Sequence, residues 1–114
     1  MEIKDNETVD DLLISGLKII QKARGFRFSL DAVLLAHFVT VKEKDKVIDL
    51  GTGTGIIPLL LTTRAKGLDL TGVEIQKEIA EMAQRSMILN GLNEIKIMNE
   101  DLRQIPKSFN GQYD

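Results

Sequence analysis

The chain has 114 residues, 15 lysines and arginines against 17 aspartates and glutamates, and a formal charge of -2. That length holds one domain with a modest core, and the charge gives no global basic signature, so a nucleic-acid partner would have to meet a local patch. Hydrophobic and charged contents of 43% and 28% are ordinary for a globular protein. The absence of cysteine excludes disulfides and thiolate chemistry. The longest uncharged apolar stretch, Leu50 to Thr63, is broken by Gly51, Gly53, Gly55 and Pro58, too short and interrupted to span a bilayer. The first residues, Met-Glu-Ile-Lys-Asp, contain no apolar signal core, so a cytoplasmic location is expected.

In chain order, residues 1–16 are polar and acidic, with one apolar cluster at Leu12, Leu13 and Ile14. Leu17 to Gln21 and Phe26 to Phe28 are short β-prone runs separated by Lys22-Ala23-Arg24-Gly25, which predicts a hairpin. Ser29 reads as a helix N-cap, with Asp31 set against the dipole of a helix over Leu30 to Thr40. Its apolar positions Leu30, Val33, Leu34, Phe38 and Val41 recur at helical spacing. Leu35 and Ala36 widen that stripe and predict burial on more than one side. His37, the single histidine, lies on the stripe and reads as a core or boundary residue; with no cysteine or second histidine, no metal site is expected.

Val47 to Leu50 is an apolar strand without alternation, as expected when both faces of a parallel strand are covered. A helix containing Pro58 follows and is stopped by Gly67. Leu68 to Glu74 is a second strand, Gln76 to Asn90 a helix capped by Gly91, and Ile95 to Met98 a third strand. Strands alternating with helices predict an α/β fold with a parallel sheet.

The most informative segment joins the first of these strands to its helix: Asp49-Leu50-Gly51-Thr52-Gly53-Thr54-Gly55. Glycine at every second position permits a sharp turn and leaves no Cβ between backbone and ligand. Glu74, closing the next strand, is placed to accept both hydroxyls of a ribose, or to favour the dipole of the helix that follows. A nucleoside-containing cofactor is therefore expected. The spacing is not the G-x-G-x-x-G of dinucleotide binding, and no G-K-[ST] ending marks a triphosphate loop.

Val47-Ile48-Asp49-Leu50-Gly51-Thr52-Gly53-Thr54-Gly55 resembles the first motif of the class I methyltransferases that use S-adenosylmethionine. Upstream, Asp11-Leu12-Leu13, Gly16-Leu17-Lys18-Ile19-Ile20-Gln21 and the run Gly25 to Ala36 resemble the bacterial tRNA(Val) adenine-N6 methyltransferases, within the methyltransferase small domain group. The resemblance implies a Rossmann-like sheet, here cut after its third parallel strand, with an N-terminal hairpin and helix extension. Residues 1–45 would form the lid or substrate side, and 46–114 the first half of the cofactor domain.

It also implies site roles. Asp49 would accept from the cofactor's ammonium, or alternatively cap its own loop; Gly51, Gly53 and Gly55 would allow close approach, and Thr52 could add a hydroxyl. Glu74 would hold the ribose and Ile75 would pack on adenine, or simply be core. Asp101 would accept from the adenine amine, with Glu100 as rival, and the Leu102 N–H would meet a ring nitrogen. Phe28 and Ser29 stand where related enzymes touch the methionine end, though Phe before a capping Ser is also ordinary helix-start chemistry.

Lys18, Lys22, Arg24 and Arg27 form a basic run suited to RNA phosphates, or an indifferent solvated turn. The family's Asn-Pro-Pro-Tyr segment, which holds the acceptor amine, is absent: the only prolines are Pro58 and Pro106. No catalytic residue is therefore assigned within the chain, which reads as the N-terminal part of an enzyme. The expected activity is methyl transfer to the N6 amine of a tRNA adenine. Alternatives are ribosomal-RNA guanine, protein glutamine or small-molecule acceptors, or a non-catalytic S-adenosylmethionine-binding fragment. Self-association along the open edge of strand 47–50 is also expected.

Overall fold

The computed structural model describes residues 3–12, 16–24, 30–101 and 103. Strands β1 (Glu7–Asp11) and β2 (Lys18–Lys22) come first, followed by helix α1 (Leu30–Phe38). Then β3 (Lys46–Leu50), α2 (Ile56–Leu61), β4 (Asp69–Val73), α3 (Lys77–Leu89) and β5 (Lys96–Met98) alternate. The last three strands form one parallel sheet in the order β3-β4-β5, with Asp49 opposite Gly72 and Gly72 opposite Ile97. This is the α/β, Rossmann-like arrangement the alternation predicts.

The strand covered on both faces is β4, buried from Leu70 to Val73, whereas β3 is half-buried. The expectation of full cover for Val47 to Leu50 is thus corrected: among the described residues β3 is an edge strand paired only with β4. Helix α2 ends at Leu61, earlier than Gly67, and its chain continues in tighter turns. Thr63 and Arg64 donate N–H bonds to carbonyls three residues back, and the Thr62 and Thr63 hydroxyls bond the Leu59 and Leu60 carbonyls. Side-chain competition for backbone acceptors ends the helix before the glycine is reached.

The N-terminal hairpin differs from the predicted one. β2 pairs antiparallel with the upstream Glu7–Asp11, Val9 opposite Ile20, while Phe26 to Phe28 lie outside the described residues. Glu-Thr-Val-Asp-Asp lacks an apolar signal because its inward residue is Glu7, 8% exposed and forked by Arg85 of α3. The opposite edge of β2 is covered by side chains of α3. The Ile20 N–H donates to Ser86 Oγ at 2.9 Å, and the Asn90 amide brackets the Lys18 N–H and carbonyl. A helix thereby completes a strand edge that would otherwise be unpaired.

Leu17 and Ile19 share the main core with Ala36, Leu59, Leu61 and Met87; Ile20 packs separately with Ile79 and Met82. Full burial of each such aliphatic side chain contributes about 1.5–3 kcal/mol. Helix α1 rests on α2 through the buried Ala36 and part-buried Ala32 and Val33. Its Leu34, Leu35 and Phe38 are exposed, so burial on more than one side is corrected. His37 is likewise exposed rather than core, meeting the ring of Phe38 edge-on.

Candidate functional site

The carboxyl ends of β3, β4 and β5 lie at one end of the parallel sheet, the end at which open parallel sheets bind ligands. The glycine loop folds back over β4, with the N–H groups of Gly51 and Thr52 both donating to the Val73 carbonyl at 2.8 Å. Gly51, Gly53 and Gly55 all have positive φ, which a side chain would oppose. At Gly55 a Cβ would also stand 2.6 Å from the Met87 side chain, whereas at Gly51 it would meet nothing within 4 Å. One glycine lets the loop pack on α3; the other leaves open space beside its backbone.

Asp49 accepts a hydrogen bond from the Thr52 hydroxyl at 2.7 Å. Burial pushes its carboxyl above the usual carboxylate range, a trend the Thr52 bond partly opposes. Among the described residues no cation is paired with it. Glu74 is buried and bridges two elements, accepting the Gly53 N–H at 3.0 Å on Oε1 and the Gln76 N–H at 2.9 Å on Oε2. Both sequence readings of Glu74 are thus compatible, since it meets the start of α3 and each oxygen retains acceptor capacity.

Neighbouring strand ends are tied together. The Asn99 amide donates to the Glu74 and Ile75 carbonyls at 2.9 Å, and the Glu100 N–H to the Glu74 carbonyl at 3.2 Å. These bonds tie the segment leading to Asp101 to the end of β4, where Ile75 is 59% exposed. Asp101 is held by the Arg103 guanidinium, whose hydrogen bonds, together with the Arg103 backbone N–H, keep its carboxyl below the usual range.

Two contributors escaped sequence reading. A Cβ on Gly72 would lie 2.7–2.9 Å from the Thr52 side chain, so the loop can sit down only on a glycine. A glycine inside an apolar strand is the available signal for such close approach. Asn99 gave no signal beyond its position after β5. Phe28, Ser29, Leu102 and Arg27 lie outside the described residues. The basic run is divided: the Lys22 ammonium pairs with Glu78 on α3, while Lys18 and Arg24 are exposed.

This chemistry selects a ligand class. A phosphate nest needs loop N–H groups turned outward, but those of Gly51, Thr52, Gly53 and Gly55 are bonded within the protein. Asp49, Glu74 and Asp101 instead offer three carboxylates. Acceptors at the ends of the strands suit a ligand rich in hydroxyl and amine donors, as S-adenosylmethionine is, rather than a dinucleotide pyrophosphate. Among the described residues no group of three or more His, Asp or Glu side chains is placed to hold a metal, and no helix is long and apolar enough to cross a membrane.

The parallel sheet and its helices define a Rossmann-like α/β domain. Residues 29–114 match the methyltransferase small domain, and the chain belongs to that family. A relative in Yersinia enterocolitica, a tRNA1(Val) (adenine(37)-N6)-methyltransferase, is 33% identical over 86 residues, covering 74% of this chain and 34% of its own. The chain thus spans about a third of that relative's length. Among solved structures, Pyrococcus horikoshii TYW2 in complex with MeSAdo superimposes with a TM-score of 0.72 at 20% identity, covering 90% of this chain and 39% of that one. An S-adenosylmethionine-dependent methyltransferase from Agrobacterium tumefaciens gives 0.63 at 24% identity, covering 88% and 34%. At those identities the likeness is one of fold. S-adenosylmethionine is the cofactor that membership of the family implies.

Proposed function

We propose that this chain is the donor-holding part of an S-adenosylmethionine-dependent methyltransferase whose acceptor is the N6 amine of a tRNA adenine. The observation that carries the cofactor reading is Asp49, a half-buried carboxyl at the loop with no cation beside it among the described residues. An amino-acid ammonium is the counter-charge such a group lacks. The acceptor reading rests on the Yersinia relative and is correspondingly specific to RNA.

When bound, S-adenosylmethionine supplies an electrophilic methyl group. The residues of this chain bind and orient it. Asp49 neutralises the ammonium, Gly51 leaves room for the methionine chain, and Glu74 accepts the ribose hydroxyls. Ile75 and Asp101 hold adenine by its face and its amine, with the Leu102 N–H on a ring nitrogen and Phe28 and Ser29 closing the methionine end. Orientation and electrostatics are the contributions such a half-site makes to rate. Residues 46–114 form this half-site. Residues 1–45 serve the acceptor side, with Lys18, Arg24 and Arg27 toward RNA phosphate. The two parts share one core, so the division is one of roles.

Calorimetric titration with S-adenosylmethionine tests the reading. Glu74→Ala is expected to weaken binding by about 2–4 kcal/mol, two charge-assisted hydrogen bonds being lost. Glu74→Gln, which keeps one acceptor, should fall between. Unchanged affinity in Glu74→Ala would remove the ribose assignment, and tighter binding of NAD than of S-adenosylmethionine would remove the cofactor.

A further inference from the structure

Asp101 and Arg103 form an arrangement that neither the glycine loop nor the ribose carboxylate requires. Asp101 Oδ1 accepts the backbone N–H of Arg103 at 2.9 Å, an Asx turn. The Arg103 guanidinium then returns onto the same carboxylate, Nη2 to Oδ2 at 2.6 Å and Nε to Oδ1 and Oδ2 at 3.1 and 3.2 Å. The Arg103 side chain is 86% exposed and that of Asp101 only 18%. The guanidinium therefore lies on the solvent side of a carboxylate that is mostly covered, two residues after the Asn99 amide that bonds the Glu74 and Ile75 carbonyls and one after the Glu100 N–H that bonds the Glu74 carbonyl.

We propose that Arg103 is a positioning residue that fixes Asp101 as a single-edge acceptor selecting the purine's exocyclic amine. This rests on the cofactor reading above and adds a residue and a selectivity to it. A carboxylate has about four lone-pair positions. The short N–H and Nη2 bonds and the shared Nε contact engage most of them, leaving acceptor capacity on Oδ2. An amine can donate to that position; a carbonyl cannot. Held by the fork, the carboxylate stays ionised and cannot rotate to present a protonated oxygen, which would accommodate a carbonyl instead. A lysine would keep the charge without the planar fork.

The test is calorimetry with S-adenosylhomocysteine and with S-inosylhomocysteine, which carries a carbonyl where adenine has its amine. The proteins are wild type, Arg103→Ala, Arg103→Lys and Glu74→Ala. Wild type is expected to prefer the adenosyl compound by about tenfold or more, the worth of a charge-assisted bond set against a carbonyl–carboxylate clash. Arg103→Ala should reduce that preference to within about threefold, with Arg103→Lys between, while Glu74→Ala weakens both compounds alike. If Arg103→Ala weakens both compounds equally, or leaves the preference intact while Glu74→Ala still weakens binding, Arg103 has no selecting role and the site reading survives. If wild type binds neither compound, or Glu74→Ala binds both as wild type does, the site reading itself falls and this inference with it.

Discussion

At Asp49, function and stability pull in opposite directions. A carboxyl whose pKa is raised by burial favours the folded state when protonated, and this advantage is lost as pH rises and the group ionises. Asp49→Asn keeps an acceptor for the Thr52 hydroxyl without the buried charge. At pH 7–8, thermal unfolding without ligand should show this variant as stable as wild type or more so. The difference should shrink as pH falls toward 3.8, the ordinary aspartate value. The same variant should bind S-adenosylmethionine poorly, because the ammonium loses its counter-charge. Gly72 makes the converse case. Gly72→Ala would press on Thr52 at contacts under 3 Å, and overpacking of this kind costs about 1–3 kcal/mol. Chemical denaturation should register that loss, together with weakened cofactor binding as the loop lifts.

Among elements, the decisive junction is the hairpin on α3. Arg85 forks Glu7, with Nη1 to Oε1 at 2.6 Å, while Lys4 bonds Glu81 at 2.6 Å and Lys22 pairs with Glu78. Glu7 and Arg85 are mostly shielded, with side chains 2% and 12% exposed, so removing one partner strands a charge. Arg85→Ala should cost about 3 kcal/mol, read by urea denaturation. The Arg85 bond also holds Glu7 below the ordinary glutamate value of 4.5. A depressed carboxyl contributes stability above its unfolded pKa that is lost as pH falls through the folded one. Stability of the wild type should therefore decline below about pH 4.5, and Glu7→Gln should flatten that part of the decline. The Lys4–Glu81 pair is exposed and salt-screened, so it adds little to the same curve.

For the molecule as a whole, the open side is the determining feature. β3 has one partner among the described residues, and Leu50, Leu34, Leu35 and Phe38 stand exposed. Unpaired strand edges and exposed apolar surface each template association. Light scattering behind size exclusion should show the 114-residue chain self-associating as its concentration is raised; a cooperatively unfolding monomer throughout would refute this. With no Asn-Pro-Pro-Tyr segment to hold an amine, these 114 residues should not methylate tRNA alone. Transfer above a no-enzyme control would show that segment to be dispensable.

Local chemistry made much of this protein legible in its sequence. The strand–glycine loop–helix unit, the βαβ alternation and the candidate donor site are all encoded within short windows, by residues whose backbone freedom or charge has one dominant use. Gly51 to Gly55 could be read because a turn with repeated positive φ needs glycine wherever it occurs. What the tertiary structure decided were the pairings between distant residues. Glu7 carries no signal of burial in the sequence because its partner, Arg85, is remote in the chain. The sequence points to a mate for β2 downstream because the upstream strand hides its buried position behind a charge. The wide stripe of helix α1 predicts burial on several sides, yet its main packing is against α2 and its Leu34, Leu35 and Phe38 are exposed. Gly72 and Asn99 acquire their roles only from the Thr52 side chain and the Glu74 and Ile75 carbonyls that folding places beside them. Periodicity reports which face is apolar; it carries no information about what arrives to cover that face.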